Sequence, residues 1–146
     1  MFVIETAVDK SPETVFTRLT RVEDTPQWYS AVQRVEHVVG TPAGLGSRYR
    51  FMRQLPSGPA VNEVEITEYE LPGVFTLKSR SGPTPFTYRY VLAPNQPDGT
   101  RLRLEGEISG EGLGGPLSLF APLASMFFER GMRTNIETFK RLVEAG

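Results

Sequence analysis

At 146 residues the chain has room for one domain and is short for two, and 39% hydrophobic with 23% charged residues is ordinary for a globular protein. A formal net charge of −1 offers no global attraction to nucleic acid or an anionic membrane, so neither is an expected partner. The absence of cysteine excludes disulfides, thiolate metal sites and a cysteine nucleophile.

Phe2 to Val8 alternates apolar and polar side chains and reads as a first strand. Ser11, Pro12 and Glu13 then announce a helix: a hydroxyl to cap free amides, a proline tolerated at the first position, and an acid suited to the positive end of the dipole. Val15, Phe16 and Leu19 give that helix its apolar face. The run from Thr25 to Tyr29 predicts a second short helix, with Thr25 as cap and Pro26 at its first position. Residues 1–10 show no basic-then-apolar leader, and no apolar run approaches the roughly 20 residues of a membrane span. The expected location is cytoplasmic, without stable membrane insertion.

From Val32 to Gly110 the chain reads as about six consecutive strands without an intervening helix, an antiparallel meander in place of βαβ units. Turn chemistry separates them at Gly40 to Gly46, Leu55 to Pro59, Leu71 to Gly73, Ser81 to Pro83 and Pro94 to Gly99. Period two sorts each strand into faces. One face collects Tyr49, Phe51 and Arg53; Asn62, Val64 and Ile66; Phe75, Leu77 and Ser79; Phe86, Tyr88, Tyr90 and Leu92; and Leu102, Leu104, Gly106 and Ile108. The other collects Glu63, Glu65, Lys78, Arg80, Arg89, Arg101, Arg103, Glu105 and Glu107. Such a sheet is covered on one side only. Arg53, Asn62 and Ser79 on the apolar face must meet water, each other or a ligand, because unpaired buried polar groups are costly. A mostly apolar face with a few converging polar groups has the composition of a small-molecule pocket.

Gly115 to Gly146 reads as one long helix that covers this face. At about 3.6 residues per turn, Leu117, Ala121, Ala124, Met132, Phe139 and Leu142 fall on the side of Phe128. Asn135 lies within the stripe, where it either bonds nearby backbone or reaches the cavity floor. Gly131, one turn earlier, costs helix stability, which fits a close approach to the sheet or a space left empty. Leu119, Leu123 and Met126 form a second apolar side, and Pro122 kinks or restarts the helix.

Other motifs carry less. Gly110 to Gly115 matches G-x-G-x-x-G, but a dinucleotide fingerprint needs a following parallel strand, and here the chain ends after the helix. His37 is the lone histidine, which excludes histidine-cluster metal sites, and no serine sits in a G-x-S-x-G elbow. The Glu63/Glu65 and Glu105/Glu107 pairs fall on the charged face, where cross-strand pairing accounts for them. No cofactor or metal ion is expected.

Ser11-Pro12-Glu13 with Val15-Phe16, Pro26 with Trp28, Val35-Glu36, the Pro42/Gly44/Gly46 turn, Ile66 to Tyr69 with Pro72, Gly99-Thr100-Arg101 and the terminal helix occur in this order. In this the chain resembles, over nearly its whole length, the polyketide cyclase/dehydrase branch of the START-like (SRPBCC, birch-pollen-allergen-like) superfamily. The resemblance implies one α+β domain over residues 1–146 with a helix-grip fold. Its curved antiparallel sheet of about seven strands, in the order β-α-α-β6-α, would wrap around the long C-terminal helix and enclose a deep hydrophobic cavity. It also implies an apolar ligand such as a lipid or polyketide, with Trp28 at the cavity edge, and it supplies no catalytic motif to carry over. The candidate ligand-binding residues are Trp28, Tyr49, Phe51, Arg53, Asn62, Ser79, Tyr88, Tyr90, Phe120, Phe128, Gly131 and Asn135. The leading expectation is a carrier or sensor of a hydrophobic small molecule. The alternatives are a cyclase, aromatase or dehydratase in which Tyr49, Arg53 and Tyr88 orient a poly-β-keto chain, and an interaction module or homodimer built on Leu119, Leu123 and Met126.

Overall fold

A computed structural model describes residues 1–112 and 123–146. The elements run β1 (Phe2–Val8), α1 (Pro12–Leu19), a 3₁₀-helix (Val22–Gln27), β2 (Val32–Val39), β3 (Arg48–Leu55), β4 (Gly58–Glu70), β5 (Val74–Ser81), β6 (Phe86–Asn95), β7 (Gly99–Ile108) and α2 (Ala124–Ala145). All seven strands form one antiparallel sheet in the order β1-β7-β6-β5-β4-β3-β2, so the first strand closes onto the last. Register shifts in the β4–β5 pairing, between Glu63 and Val64 and between Ile66 and Glu68, bend the longest strand and curve the sheet. This is the α+β helix-grip arrangement that the alternation and the resemblance predict.

The two faces follow the period-two assignment. Tyr49, Phe51, Val64, Ile66, Phe75, Leu77, Tyr88, Tyr90, Leu102 and Leu104 are all buried on the inner face. The core lies between that face, α1, the 3₁₀-helix and α2. Ser11 caps α1 as expected, its hydroxyl accepting from the Thr14 amide at 3.3 Å. The second short helix differs from expectation. It begins at Val22 with Arg21 as its cap, and Pro26 lies inside it. Thr25 is not the cap: its hydroxyl donates back to the Val22 carbonyl at 2.6 Å. A hydroxyl followed by proline looks like a helix start, but in this tight turn it satisfies a carbonyl of the preceding one.

α2 buries Ala124, Phe128, Met132, Asn135, Ile136, Phe139 and Val143. Ile136 and Val143 belong to the stripe, and Leu142 is only half-buried at its margin. Leu123 and Met126 are exposed, as is Phe127. Leu117, Leu119, Phe120, Ala121 and the proposed bend at Pro122 lie outside the described residues. Among the described residues no helix is long and apolar enough to cross a membrane.

Candidate functional site

Arg53 is the most unusual side chain of the inner face. Alternation along β3 turns Tyr49, Phe51, Arg53 and Leu55 inward together, and Arg53 ends only 1% exposed. Its Nη1 donates to Asn62 Oδ1 at 2.7 Å and, less closely, to the Pro83 carbonyl at 3.4 Å. The guanidinium carbon stands 5.3 Å from the Phe86 ring centroid, within range of a cation–π contact. Nε and Nη2 have no partner among the described residues.

Asn62 holds that arrangement. It sits on β4 opposite Phe51, and its Nδ2 donates to the Pro83 carbonyl at 2.8 Å and the Ser81 carbonyl at 3.1 Å. The β5–β6 turn can bring those carbonyls inward because Gly82 adopts φ +102, where a side chain would collide with Val61 and Asn62. One amide therefore fixes both the turn and the guanidinium.

Beside Arg53 a cavity of about 280 Å³ opens between the end of β3 and α2. Tyr29, Ser30 and Ala31 form one wall, Arg53 to Pro56 a second, and Phe127, Phe128, Gly131, Met132 and Asn135 the third. Phe127 is 60% exposed, so this wall reaches the surface. A methyl group on Gly131 would meet nothing within 4 Å among the described residues. Gly131 is itself exposed and lines the cavity, and no close approach to the sheet is seen there among the described residues. Asn135 is buried and lines the cavity. Its Oδ1 accepts from the Ser30 amide at 3.2 Å, tying α2 to the loop, and its Nδ2 faces only the weak acceptor Met132 Sδ at 3.5 Å.

Tyr29 continues the polar edge inward, its hydroxyl 3.4 Å from that of Tyr88. Burial raises both phenols, only partly opposed at Tyr29 by the Arg53 charge, so both are neutral hydrogen-bonding groups at ordinary pH.

The remaining candidates separate. Trp28, Phe51, Tyr88 and Tyr90 surround a void of about 10 Å³, water-sized at most, and so pack as core. Trp28 meets Phe139 edge-on at 5.2 Å. Tyr49 fastens the β2–β3 loop by accepting from the Ala43 amide at 2.7 Å. Ser79 exchanges hydrogen bonds with the Phe86 amide and carbonyl, and lines a different, open pocket with Phe2 and Lys78. Phe120 lies outside the described residues. Arg53, Phe128, Gly131 and Asn135 are thus brought together on the cavity, with Asn62 behind Arg53. Tyr29, Ser30, Leu55 and Met132 were not among the candidates. Leu55 shares the face of Arg53 by period two, and Met132 lies on the Phe128 stripe, so both were within reach of the pattern. His37 pairs with the Ser47 hydroxyl at 3.1 Å, and no metal-binding cluster occurs among the described residues.

The family described as polyketide cyclase / dehydrase and lipid transport matches residues 1–144. The chain has no significant match among curated proteins. Solved structures are similar in fold at low identity. The Zhui aromatase/cyclase of Streptomyces sp. R1128 superimposes with a TM-score of 0.80 at 12% identity, covering 98% of this chain and 92% of that one. A protein of Thermus thermophilus gives 0.75 at 19% identity over 98% and 96%. A START superfamily protein of Mycobacterium smegmatis gives 0.71 at 18% identity over 93% and 96%. At these identities the likeness establishes the fold alone.

Proposed function

Because the chain belongs to the polyketide cyclase / dehydrase and lipid transport family, we propose that it binds a hydrophobic small molecule between α2 and the sheet, as a carrier or sensor. The observation that carries this reading is the cavity itself, kept open where Gly131 leaves the helix without a side chain. Its apolar walls include Leu55, Phe127, Phe128 and Met132, and its polar members are Tyr29, Ser30, Arg53, Gln54 and Asn135. Apolar walls supply affinity through burial, and a few fixed polar groups set orientation. About 280 Å³ sits at the small end of ligand pockets, near 300 Å³, which favours a compact one- or two-ring molecule over a long acyl chain.

The neutral dye N-phenyl-1-naphthylamine tests this. Its fluorescence should rise on mixing with the protein and stay near the free-dye level with Gly131→Phe, which fills the space. A dark dye with the wild type, or equal brightening with Gly131→Phe at unchanged melting temperature, overturns the reading.

A further inference from the structure

Arg53 leaves one particular edge of its guanidinium free. Nη1 is committed to Asn62 and Pro83, whereas Nε and Nη2, which share the opposite edge, are both buried and have no partner among the described residues. That edge presents two nearly parallel N–H bonds. Its geometric complement is a planar acceptor with two oxygens, a carboxylate; a lone carbonyl or hydroxyl oxygen completes only half of it.

Charge leads to the same place. An ionised group out of water is costly unless paired, and the described partners of Arg53 are a neutral amide and a carbonyl. Residues 113–122, outside the description, contain no acid. Four residues back along β3, the inward Tyr49 is flanked by Arg48, whose guanidinium engages both Glu63 and Glu65 on the outer face. The arginines on the outer face of the sheet are paired with carboxylates, whereas the buried one has none among the described residues. Arg53 is also the sole charged side chain lining the cavity among the described residues, which suits a monoanion and leaves a phosphate dianion under-compensated.

We propose that the ligand is an apolar carboxylic acid bound as its anion, with the carboxylate on the Nε/Nη2 edge of Arg53 and the apolar body against Phe128, Met132 and Leu55. This rests on the cavity reading above. Asn62 acts as a positioning residue, holding Nη1 so that the free edge keeps its direction. Because both nitrogens are buried, the acid reaches them through a side-chain rotation in the wall.

Isothermal titration at pH 7.5 with 2-naphthoate and its neutral isostere 2-naphthamide tests the proposal. The wild type should bind the acid at least tenfold more tightly. Arg53→Met should abolish that preference while melting no lower than the wild type, and Arg53→Lys, which keeps the charge and loses the fork, should lose most of it. Equal affinities in the wild type, or a preference that survives Arg53→Met, overturn the proposal. Should Arg53→Met fail to fold, the wild-type ratio decides alone. Brightening of the neutral dye without an acid preference rejects the carboxylate and keeps the cavity. Neither dye nor naphthoate binding rejects both.

Discussion

Arg89 and Arg53 project from opposite faces of the same sheet and end in opposite circumstances. Outside, Arg89 donates to Glu68 at 2.9 Å and Glu105 at 3.2 Å, and Arg103 to Glu5 at 2.9 Å and Glu105 at 3.0 Å. These side chains are partly exposed, so each pair contributes little. Inside, where a charge partner would matter most, Arg53 has an amide, a carbonyl and an aromatic face. The chain completes its electrostatics where completion is worth little and leaves them open where it is worth much. Such an inconsistency between local satisfaction and burial is expected at functional sites, seldom in a packing core.

The sharpest way to break this comparison is Asn62→Ala. It would leave Nη1 and the inward Ser81 and Pro83 carbonyls without their present partner. Stability in urea should fall by about 3 kcal/mol, against no more than about 1 kcal/mol for Glu65→Ala on the outer face. If the two substitutions cost the same, Arg53 is not held as described and the inner polar cluster is incidental.

Gly131→Ala probes the open side of the same region with a smaller effect of opposite sign. The added methyl meets no neighbour, and alanine favours the helix by about 1 kcal/mol. The melting temperature should therefore rise. A fall would show that the position is crowded in solution, and the cavity between α2 and β3 would be lost with it.

The contrast between faces is legible in the residues themselves. Period two is a strict geometric rule, so Arg53, Asn62 and Ser79 could be placed inward and Glu63, Glu65, Arg89 and Arg103 outward. Asn135 could be placed likewise from the helical repeat. What periodicity does not encode is position along a strand relative to the helix above it. Tyr49, Tyr88 and Arg53 share one face, yet only Arg53 lies where α2 leaves a gap, because that depends on where the helix axis crosses the sheet. Tyr29 was missed for another reason. It follows the 3₁₀-helix in a segment with no repeating pattern, and its direction is set by the Thr25 carbonyl, which accepts from its amide at 2.9 Å.

The smallest expected effect separates the faces by pH. Hydrogen bonds from Thr76 and then Arg89 hold the Glu68 carboxyl below its usual range, and those from Arg103 and Arg89 do the same for Glu105. A carboxyl lowered on folding binds fewer protons in the native state than in the unfolded one. Its contribution is therefore present above the unfolded value, about 4.3, and fades as pH falls through the lower folded value. The buried phenols Tyr29 and Tyr88 are shifted upward by burial, so their contribution is complete below the unfolded value, about 10, and is lost only as pH rises through the folded one. The acid limb of a stability–pH curve should report Glu68 and Glu105 on the outer face together with Glu144 on α2, whose carboxyl is lowered by Lys140 and the Asp9 amide, and the alkaline limb the buried phenols. Glu105→Gln should flatten the acid limb slightly and reduce its dependence on salt, since exposed pairs are screened, while the alkaline limb stays put. An alkaline limb that moves with Glu105→Gln would mean that the sheet transmits charge between its faces, and the separation on which Arg53 stands apart would not hold.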